Sequence, residues 1–486
     1  MNNEENRVLD PSIKPFYYFE EISKIPHGSY NEKAIADYVE DNAKALGLRY
    51  VRDENNVVIV YVPASAGYED HPPVMLQGHM DMVCEKDAGS EHDFEEDPLE
   101  LYIENGFLHA RGTTLGADDG CGVSFMLALI NDRESAHPPL ECVFTTAEEV
   151  GMDGAEGMDA SLISARRMVG LDIGVEGCTY VTSAGGSTVR VSFPDSDTGI
   201  ADEKIPCYSL VVSGLLGGHS GADINKCRAN ANRIAARVLH EMNRFGARIR
   251  VMEITGGAKY NAIPRDCIVL FASQKPEKEL LKIVSDCERS IKAEKGSGDP
   301  GIKISLEHAG KNGICRSESG SRAVIEFMFL SPNGFIEKSV DMSGLTTVSL
   351  NMGVVRLDKD SCDITYLIRS PYDSARDDLV QKLTDLAGML GGKCELCGDY
   401  GGWAYDPDSE MRSRLKTLYK DITGKELKEV GTHGGLETGL FIRKIPGLDI
   451  VTLGPEMHDY HSPSERLNLE SFRRTYEILK KFLETL

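Results

Sequence analysis

The sequence lacks any long apolar stretch. No run approaches the ~18 residues that a membrane-spanning helix needs. The opening residues MNNEENRVLDPS are polar and acidic, without the apolar core of a secretion signal. We therefore expect a cytoplasmic protein that has no membrane partner.

The sequence has fewer basic residues than acidic ones. Lysine and arginine number 53 against 77 aspartates and glutamates, which leaves a net charge of −24. Such a surface repels nucleic acid and anionic lipid. The charge therefore predicts no nucleic-acid partner, and it points to no other partner.

Closely spaced cysteines are nearly absent. Of the 12 cysteines, only Cys394 and Cys397 in CELC have the tight spacing of a metal-binding pair. A single CxxC without a second pair is weak evidence for zinc. We expect reduced and mostly buried thiols, as in a cytosolic protein, and the sequence leaves the role of this pair open.

The length and the pattern of elements predict two domains. A chain of 486 residues can form more than one hydrophobic core. Strands alternate with helices near both ends of the chain, which predicts an α/β domain with a mainly parallel central sheet over residues 1–186 and 398–486. Residues 187–397 are predicted to form an inserted α+β domain.

Acids and histidines recur at predicted strand ends and in glycine-rich turns. These residues are His79, Asp81, Asp118, Asp119, Glu148, Glu149, Asp172 and His461. Each alone has an ordinary explanation, such as a helix N-cap or a solvated side chain. In parallel α/β sheets, however, the carboxyl ends of the strands form the ligand crevice, so we expect this set to converge.

Converging carboxylates indicate a cation. They repel one another unless positive charge neutralises them. Oxygen and imidazole ligands without thiolate suit Zn²⁺, Mn²⁺ or Co²⁺, and zinc is the usual choice for hydrolysis. A two-metal site needs one bridging carboxylate and four terminal ligands, and five residues meet that count: His79, Asp118, Glu149, Asp172 and His461.

Five short motifs carry a family resemblance. GHMDMV, GADDG, EEVGMDGA, GLDIG and HSPSERL occur in the order found in the cocatalytic di-zinc metallopeptidases, a family of aminoacylases, glutamate carboxypeptidases and dipeptidases. The longer segments LQGHMDMVCEK, ARGTTLGADDG and THGGLETGLF resemble the aminoacyl-histidine, or cytosol non-specific, dipeptidases of that family. The resemblance extends from near residue 12 to the C-terminus. It implies that residues 1–186 and 398–486 form a catalytic domain like that of the di-zinc exopeptidases, and that residues 187–397 form an inserted lid or dimerisation domain.

The resemblance implies a role for each residue of the cluster. One metal would bind His79 and Asp172, the other would bind Glu149 and His461, and Asp118 would bridge them. Asp81 would orient His79, and Glu148 would act as general base toward a water held between the metals. The resemblance also implies a cis peptide bond between Asp118 and Asp119.

Strand geometry gives a physical reading of two of these roles. Residues two apart in a strand point the same way, so Asp81 would stand behind His79. Neighbouring residues point oppositely, so only one of Glu148 and Glu149 would bind metal.

The inserted domain contributes further candidates. From the residues alone, His219 in LLGGHSGADI is more simply a loop histidine, but the resemblance gives it an oxyanion-stabilising role from the partner subunit of a homodimer. Asn261 would contact substrate, and Arg369 would bind the C-terminal carboxylate of a dipeptide. The turn that contains Gly434, Gly435 and Glu437 could offer N–H groups or a carboxylate to the ligand.

The resemblance implies a metallo-dipeptidase that cleaves Xaa-His dipeptides such as β-Ala-His and accepts many N-terminal residues. Another amidohydrolase of the family, an aminoacylase or a tripeptidase, is the alternative. A non-catalytic relative that keeps the fold for dimerisation or ligand binding is a third possibility. The last is disfavoured because no ligand is missing and Glu148 is present. The native metal and the physiological dipeptide remain open.

Overall fold

The computed structural model describes residues 7–194, 198–200, 205–310, 313–358 and 361–486. They form two compact units. The first runs from the start of the described chain to Val181 and includes Tyr405–Val430 and Leu440–Leu486. The second comprises Thr182–Ala404 and Gly431–Gly439.

The unit boundaries differ from the predicted boundaries near 187 and 398. Strand Lys393–Tyr400 pairs with strand Gly185–Ser192 along its whole length, from Lys393 opposite Ser192 to Tyr400 opposite Gly186. A boundary at 397/398 would cut this strand. The division therefore falls outside the strand pair. Residues 431–439, for which the sequence pattern predicts a place in the first domain, also belong to the second unit.

The central sheet of the first unit is mainly parallel, as predicted. Within the described residues its six strands follow the order Arg49–Arg52, Val58–Val62, Leu140–Thr145, Val74–His79, Arg167–Gly170 and Asp449–Thr452. The last four are mutually parallel, and the first two add an antiparallel edge. The strands VMLQGH and LECVFT are buried at every position, as expected where both faces of a sheet are covered.

The other elements of this part of the chain come before, between and after these strands in the sequence. The helices are Lys14–Ile22, Lys33–Ala45, Ala117–Ile130, Asp153–Gly157, Ala160–Leu162 (a 3-10 turn), Glu410–Thr423, Glu437–Lys444 (which begins in the second unit) and Leu469–Leu483. The small strands are Leu101–Glu104, Phe107–Ala110, Cys178–Thr182, Lys428–Gly431, Met457–His458 and Arg466–Asn468.

Helix Ala117–Ile130 is a central packing element of the first unit. Its sequence is apolar almost all round, and every residue in it except Asp118 is buried. The ring of Phe125 lies 5.0 Å from that of Phe472 and 5.6 Å from that of Tyr476. This packing holds the helix N-terminus, where Asp118 lies, in a fixed place.

The second unit is built on an antiparallel sheet. In the part of the unit that the structure describes, its main path follows the order Lys303–His308, Cys207–Ser213, Cys267–Ala272, Arg250–Gly256, Thr346–Leu357, Cys362–Ser370, Gly185–Ser192 and Lys393–Tyr400, with Gly334–Lys338 also paired to Thr346–Leu357. The helices and 3-10 turns are Ile224–Lys226, Ala231–Arg244, Glu277–Lys295, Gly296–Gly298, Glu318–Leu330 and Asp373–Met389. Two short strand pairs complete it: Thr198–Ile200 with Ile314–Arg316, and Gly218–His219 with Ala262–Ile263.

Candidate metal centre

The strand-end residues of the first unit gather at one edge of its sheet. Strand Val74–His79 lies between Leu140–Thr145 and Arg167–Gly170, and His79 pairs with Thr145. The segments that leave these strands carry Asp81, Glu148, Glu149 and Asp172. Because parallel strands end at the same edge, these side chains lie close together.

Two sets of possible metal ligands share Asp118. One set is His79, Asp118 and Asp172, the other is Asp118, Glu149 and His461, and the ligand atoms of each lie within 4.8 Å of one another. Asp118 Oδ1 is 3.2 Å from His79 Nε2, and its Oδ2 is 3.2 Å from His461 Nε2. Asp118 thus presents one oxygen to each set, the arrangement that a bridging ligand requires.

The peptide bond between Asp118 and Asp119 is cis, which confirms the prediction. The carboxylate of Asp119 is fully buried, and its Oδ1 accepts a hydrogen bond from the Gly122 N–H at 3.0 Å. A Cβ atom on Gly78 would lie 2.3 Å from Asp119 Oδ2, and one on Gly122 would lie 2.4 Å from it. The glycines of GHMD and DDGCG therefore make room for this buried acid.

Asp81 lies beyond the end of its strand, so strand alternation does not place it as we predicted. The nearest Asp81 atom to His79 Nδ1 is the backbone carbonyl oxygen at 2.9 Å, and the carboxylate follows at 3.4 Å. The carboxylate also accepts hydrogen bonds from the N–H groups of Glu148 and Glu149, at 3.0 and 3.3 Å, and from Ser29 Oγ at 2.8 Å. Among the described residues, Asp81 belongs to no ligand set.

Glu148 and Glu149 lie in a turn rather than in a strand, so the alternation argument for them was wrong. Their strand ends at Thr145, and Ala147 has a φ of 53°. His79, Glu148 and Glu149 form a third set of possible ligand atoms within 4.8 Å. Both carboxylates thus reach the same region, and His461 Nε2 lies 2.8 Å from Glu149 Oε1.

The electrostatics of the cluster reflect crowded acids. Burial raises the pKa of Asp172 well above its usual range, and the charge of Asp118 raises it further. Burial opposes ionisation of Asp118, yet hydrogen bonds from His461 and His79 outweigh it and lower the pKa of Asp118. Hydrogen bonds to Asp118 and Glu149 raise the pKa of His461 to about 10.

The donor set fits divalent metal. Two imidazoles and four carboxylates converge without any thiolate, which is a chemistry that suits Zn²⁺ and its neighbours. A cation among these atoms would neutralise the repelling carboxylates and hold the imidazoles in the neutral form that binds metal.

In the second unit, His219 has a defined orientation. Its Nδ1 accepts hydrogen bonds from the N–H groups of Gly221 and Ala222, at 3.2 and 3.1 Å. Burial, and then the charge of Arg369, lower the pKa of His219. A neutral imidazole whose Nδ1 accepts must carry its proton on Nε2, so His219 presents an N–H donor there.

Arg369 lies in the same unit and is 5% exposed. Its Nε donates to Ser220 Oγ at 3.3 Å, and one terminal nitrogen donates to Tyr400 Oη at 3.0 Å. A Cβ on Gly435 would lie 2.9 Å from the Tyr400 ring, so this glycine lets the turn approach the tyrosine. These contacts orient the guanidinium.

The Asn261 loop is held by its backbone. The amide nitrogen of Asn351 donates to the carbonyls of Tyr260 and Ala262, at 2.9 and 2.8 Å. The carbonyl of Asn261 itself accepts from the Ser220 N–H at 2.9 Å. The loop is therefore fixed beside the strand of His219.

The predicted turn at 434–437 has mixed exposure. Gly434 donates its N–H to Thr432 Oγ1 at 3.0 Å, and its carbonyl accepts from Ala184. Glu437 is only 1% exposed, so its carboxylate does not face solvent. Next to the turn, His433 is buried, with Nε2 2.7 Å from Ser349 Oγ.

Sequence reasoning missed three residues that support the cluster: Ser29, Glu32 and Glu465. Ser29 binds Asp81, and Glu32 Oε1 accepts the Ala147 N–H at 3.0 Å. Glu465 accepts three backbone N–H groups just before Asp118. Glu465 lies within the quoted motif HSPSERL, and that position was the available signal.

Two predictions concern features away from the cluster. Cys394 is half-buried and Cys397 is exposed, and neither belongs to a possible ligand set in the residues that the structure describes. No helix in the described ranges has the length and apolar character to cross a membrane.

Comparison with known proteins extends these observations. The chain is 34% identical to the cytosol non-specific dipeptidase of Escherichia coli (strain K12) over 475 residues, which cover 96% of each protein. The solved structure of an aminoacylhistidine dipeptidase from Vibrio alginolyticus matches with a TM-score of 0.90 and 32% identity, covering 100% of this chain and 99% of that one. An aminopeptidase PepT from Bacillus cereus matches at 16% identity, with a TM-score of 0.55 and coverage of 98% and 99%, and it shares the fold.

The family model for peptidase family M20/M25/M40 matches residues 75–485. That range contains both ligand sets, the cis peptide and Glu148. The chain therefore belongs to peptidase family M20/M25/M40, hydrolases that act on peptide bonds.

Proposed function

We propose that this protein is a metal-dependent dipeptidase that cleaves Xaa-His dipeptides of the β-Ala-His type and accepts many N-terminal residues. The observation that carries the proposal is Asp118, which presents one carboxylate oxygen to each of two ligand sets. Two relatives that are more than 30% identical over nearly the whole chain are named as dipeptidases, one of them an aminoacylhistidine dipeptidase. That name supports the proposed Xaa-His preference.

The metal ligands in this proposal are those of the two sets. His79 and Asp172 would hold one divalent ion, Glu149 and His461 would hold the other, and Asp118 would bridge them. Zinc is the proposed metal, because the donors are imidazole and carboxylate. Bound divalent ions would lower the pKa of water and polarise the scissile carbonyl.

Glu148 is the proposed general base. Its carboxylate lies with Glu149 and His79 at the carboxyl edge of the sheet. Its backbone N–H is held by Asp81, which fixes the turn that presents it. Glu148 would accept the proton of the attacking water and pass it to the leaving amine.

The second unit would supply the groups that bind and polarise the substrate. The Nε2–H of His219 would donate to the carbonyl oxygen as negative charge develops there. Asn261 and the turn at Gly434, Gly435 and Glu437 would contact the substrate. Arg369, with its planar guanidinium, would bind the C-terminal carboxylate.

A homodimer in the cytoplasm is part of the proposal. The second unit would form the dimer contact, and the partner subunit's His219 would complete each active site. The name of the Escherichia coli relative, a cytosol dipeptidase, supports the location.

A hydrolysis panel tests the proposal. Zinc-reconstituted protein would be assayed on β-Ala-His, Gly-His, Leu-Gly, a tripeptide and an N-acetyl amino acid. We expect cleavage of the dipeptides, with the His-containing ones favoured. Preference for the N-acetyl amino acid would indicate an aminoacylase, and preference for the tripeptide would indicate a tripeptidase.

A further inference from the structure

Glu465 makes an unusual set of contacts in the first unit. Its Oε2 accepts hydrogen bonds from the N–H groups of Leu115 and Gly116, at 2.7 and 3.1 Å, and its Oε1 accepts from the Ala117 N–H at 2.8 Å. The side chain is only 3% exposed. One buried carboxylate therefore binds three consecutive backbone donors.

Those donors lie immediately before Asp118. Ala117 opens the element Ala117–Ile130, but Asp118 and Asp119 have non-helical backbone angles, so the regular helix begins only after them. The three donors therefore belong to the buried segment that leads to Asp118. Buried backbone N–H groups need a hydrogen-bond partner, and the carboxylate of Glu465 supplies it for all three.

Glu465 also belongs to the segment that carries His461. Its own N–H donates to the Ser462 carbonyl at 3.0 Å, which closes a tight turn after the histidine. The carboxylate therefore joins two segments that lie nearly 350 positions apart in sequence. Each segment carries one ligand of the same set, and Asp118 Oδ2 and His461 Nε2 lie 3.2 Å apart.

We propose that Glu465 is a positioning residue that holds Asp118 against His461 and so sets the affinity of the cation site formed by Asp118, Glu149 and His461. The inference rests on the proposed metal dependence of the enzyme. It assigns Glu465 no contact with substrate or metal. Its effect is to fix the distance between two ligands.

The chain offers a matched control in Glu141. This carboxylate is 5% exposed and also accepts consecutive backbone donors, the N–H groups of Ser164 at 3.0 Å and Ala165 at 3.0 Å. It lies near the start of strand Leu140–Thr145, whereas the ligand segments follow the ends of the strands. Glu141→Gln therefore imposes the same chemical change without touching a ligand segment.

The test is calorimetric titration of metal-free protein with Co²⁺. For Glu465→Gln we expect the Co²⁺ affinity of one of the two sites to fall about tenfold or more, as when a residue that orients a metal ligand is replaced. For Glu141→Gln we expect both Co²⁺ affinities to stay as in the unmodified protein. Activity of Glu465→Gln should fall at a cation concentration that saturates the unmodified enzyme and recover when the concentration is raised, with KM little changed.

Several results would overturn the inference. They are unchanged isotherms for Glu465→Gln, equal weakening in Glu141→Gln, or lost activity that extra cation does not restore. If Glu465→Gln does not fold, Glu465→Asp makes the same test, because it keeps the charge but shortens the reach. A protein that binds two cations yet cleaves no peptide would contradict the proposed function alone, and the titrations would still decide the role of Glu465.

Discussion

Replacing Asp81 by asparagine tests how the acidic turn is held. The carboxylate is 1% exposed and accepts from Ser29 Oγ, from Glu148 N–H and from Glu149 N–H. Asparagine keeps the shape but replaces one acceptor oxygen by an NH₂ group, which can only donate. At least one of the backbone donors must then lose its partner.

The least costly arrangement gives the magnitude. If the amide nitrogen takes the place of Oδ2, the Ser29 hydroxyl can turn and accept, and only the Glu149 N–H, at 3.3 Å, is left unpaired. An unsatisfied buried donor costs about 1–3 kcal/mol. We expect Asp81→Asn to lower the free energy of unfolding by that amount and to reduce kcat about 10- to 100-fold, because the turn carries both Glu148 and Glu149.

Urea unfolding of the metal-free protein measures the first quantity, and initial rates on β-Ala-His measure the second. Ser29→Ala is the control, since it removes one donor but leaves both backbone N–H groups paired, and it should have a smaller effect on each. An Asp81→Asn protein with unchanged stability and unchanged kcat would refute the role of Asp81 in holding this turn.

Three further predictions concern the catalytic groups and a buried histidine. Glu148→Gln should keep both cations yet lose about 10²- to 10⁴-fold in kcat, the range for a general base; a near-normal kcat with metals bound would rule out that role. His219→Ala should lower kcat more than it raises KM. If His219 acts across a twofold dimer, mixing this variant with Glu148→Gln should restore up to about a quarter of normal activity, because each mixed dimer has one intact site. No recovery after subunit exchange would contradict that arrangement. Burial and the charge of Arg369 lower the pKa of His433 to about 3, so its ring should show no NMR titration near pH 6.5. The unfolded chain protonates this histidine more readily than the folded chain does, so the contribution of neutral His433 to stability is lost as the pH falls from about 6.5 towards 3. An NMR titration midpoint near pH 6.5 would contradict the burial of His433.

The sequence predicted what depends on strand order and residue chemistry. Buried strands ending in His79 and in the segments of Glu148 and Asp172 were enough to predict a parallel sheet with ligands at one edge. The argument from alternation failed for Asp81 and Glu149, because both lie beyond the strand ends, where backbone geometry is set by turns such as the one at Ala147.

Features that depend on distant backbone contacts could not be predicted. Glu465 and Glu32 bind backbone N–H groups, which every residue except proline possesses, so no pattern of side chains marks their partners. The unit boundaries depend on the pairing of strand Lys393–Tyr400 with Gly185–Ser192, about 200 positions away in sequence. Such contacts become visible only in the folded chain.

Metal-dependent peptide hydrolysis is the central claim, and one measurement tests it most directly. Protein stripped with EDTA and shown by elemental analysis to be metal-free would be assayed on β-Ala-His before and after addition of Zn²⁺. We expect no hydrolysis before addition and restored hydrolysis once about two equivalents are bound, as a two-metal site requires. Full activity of the verified metal-free protein would contradict the account.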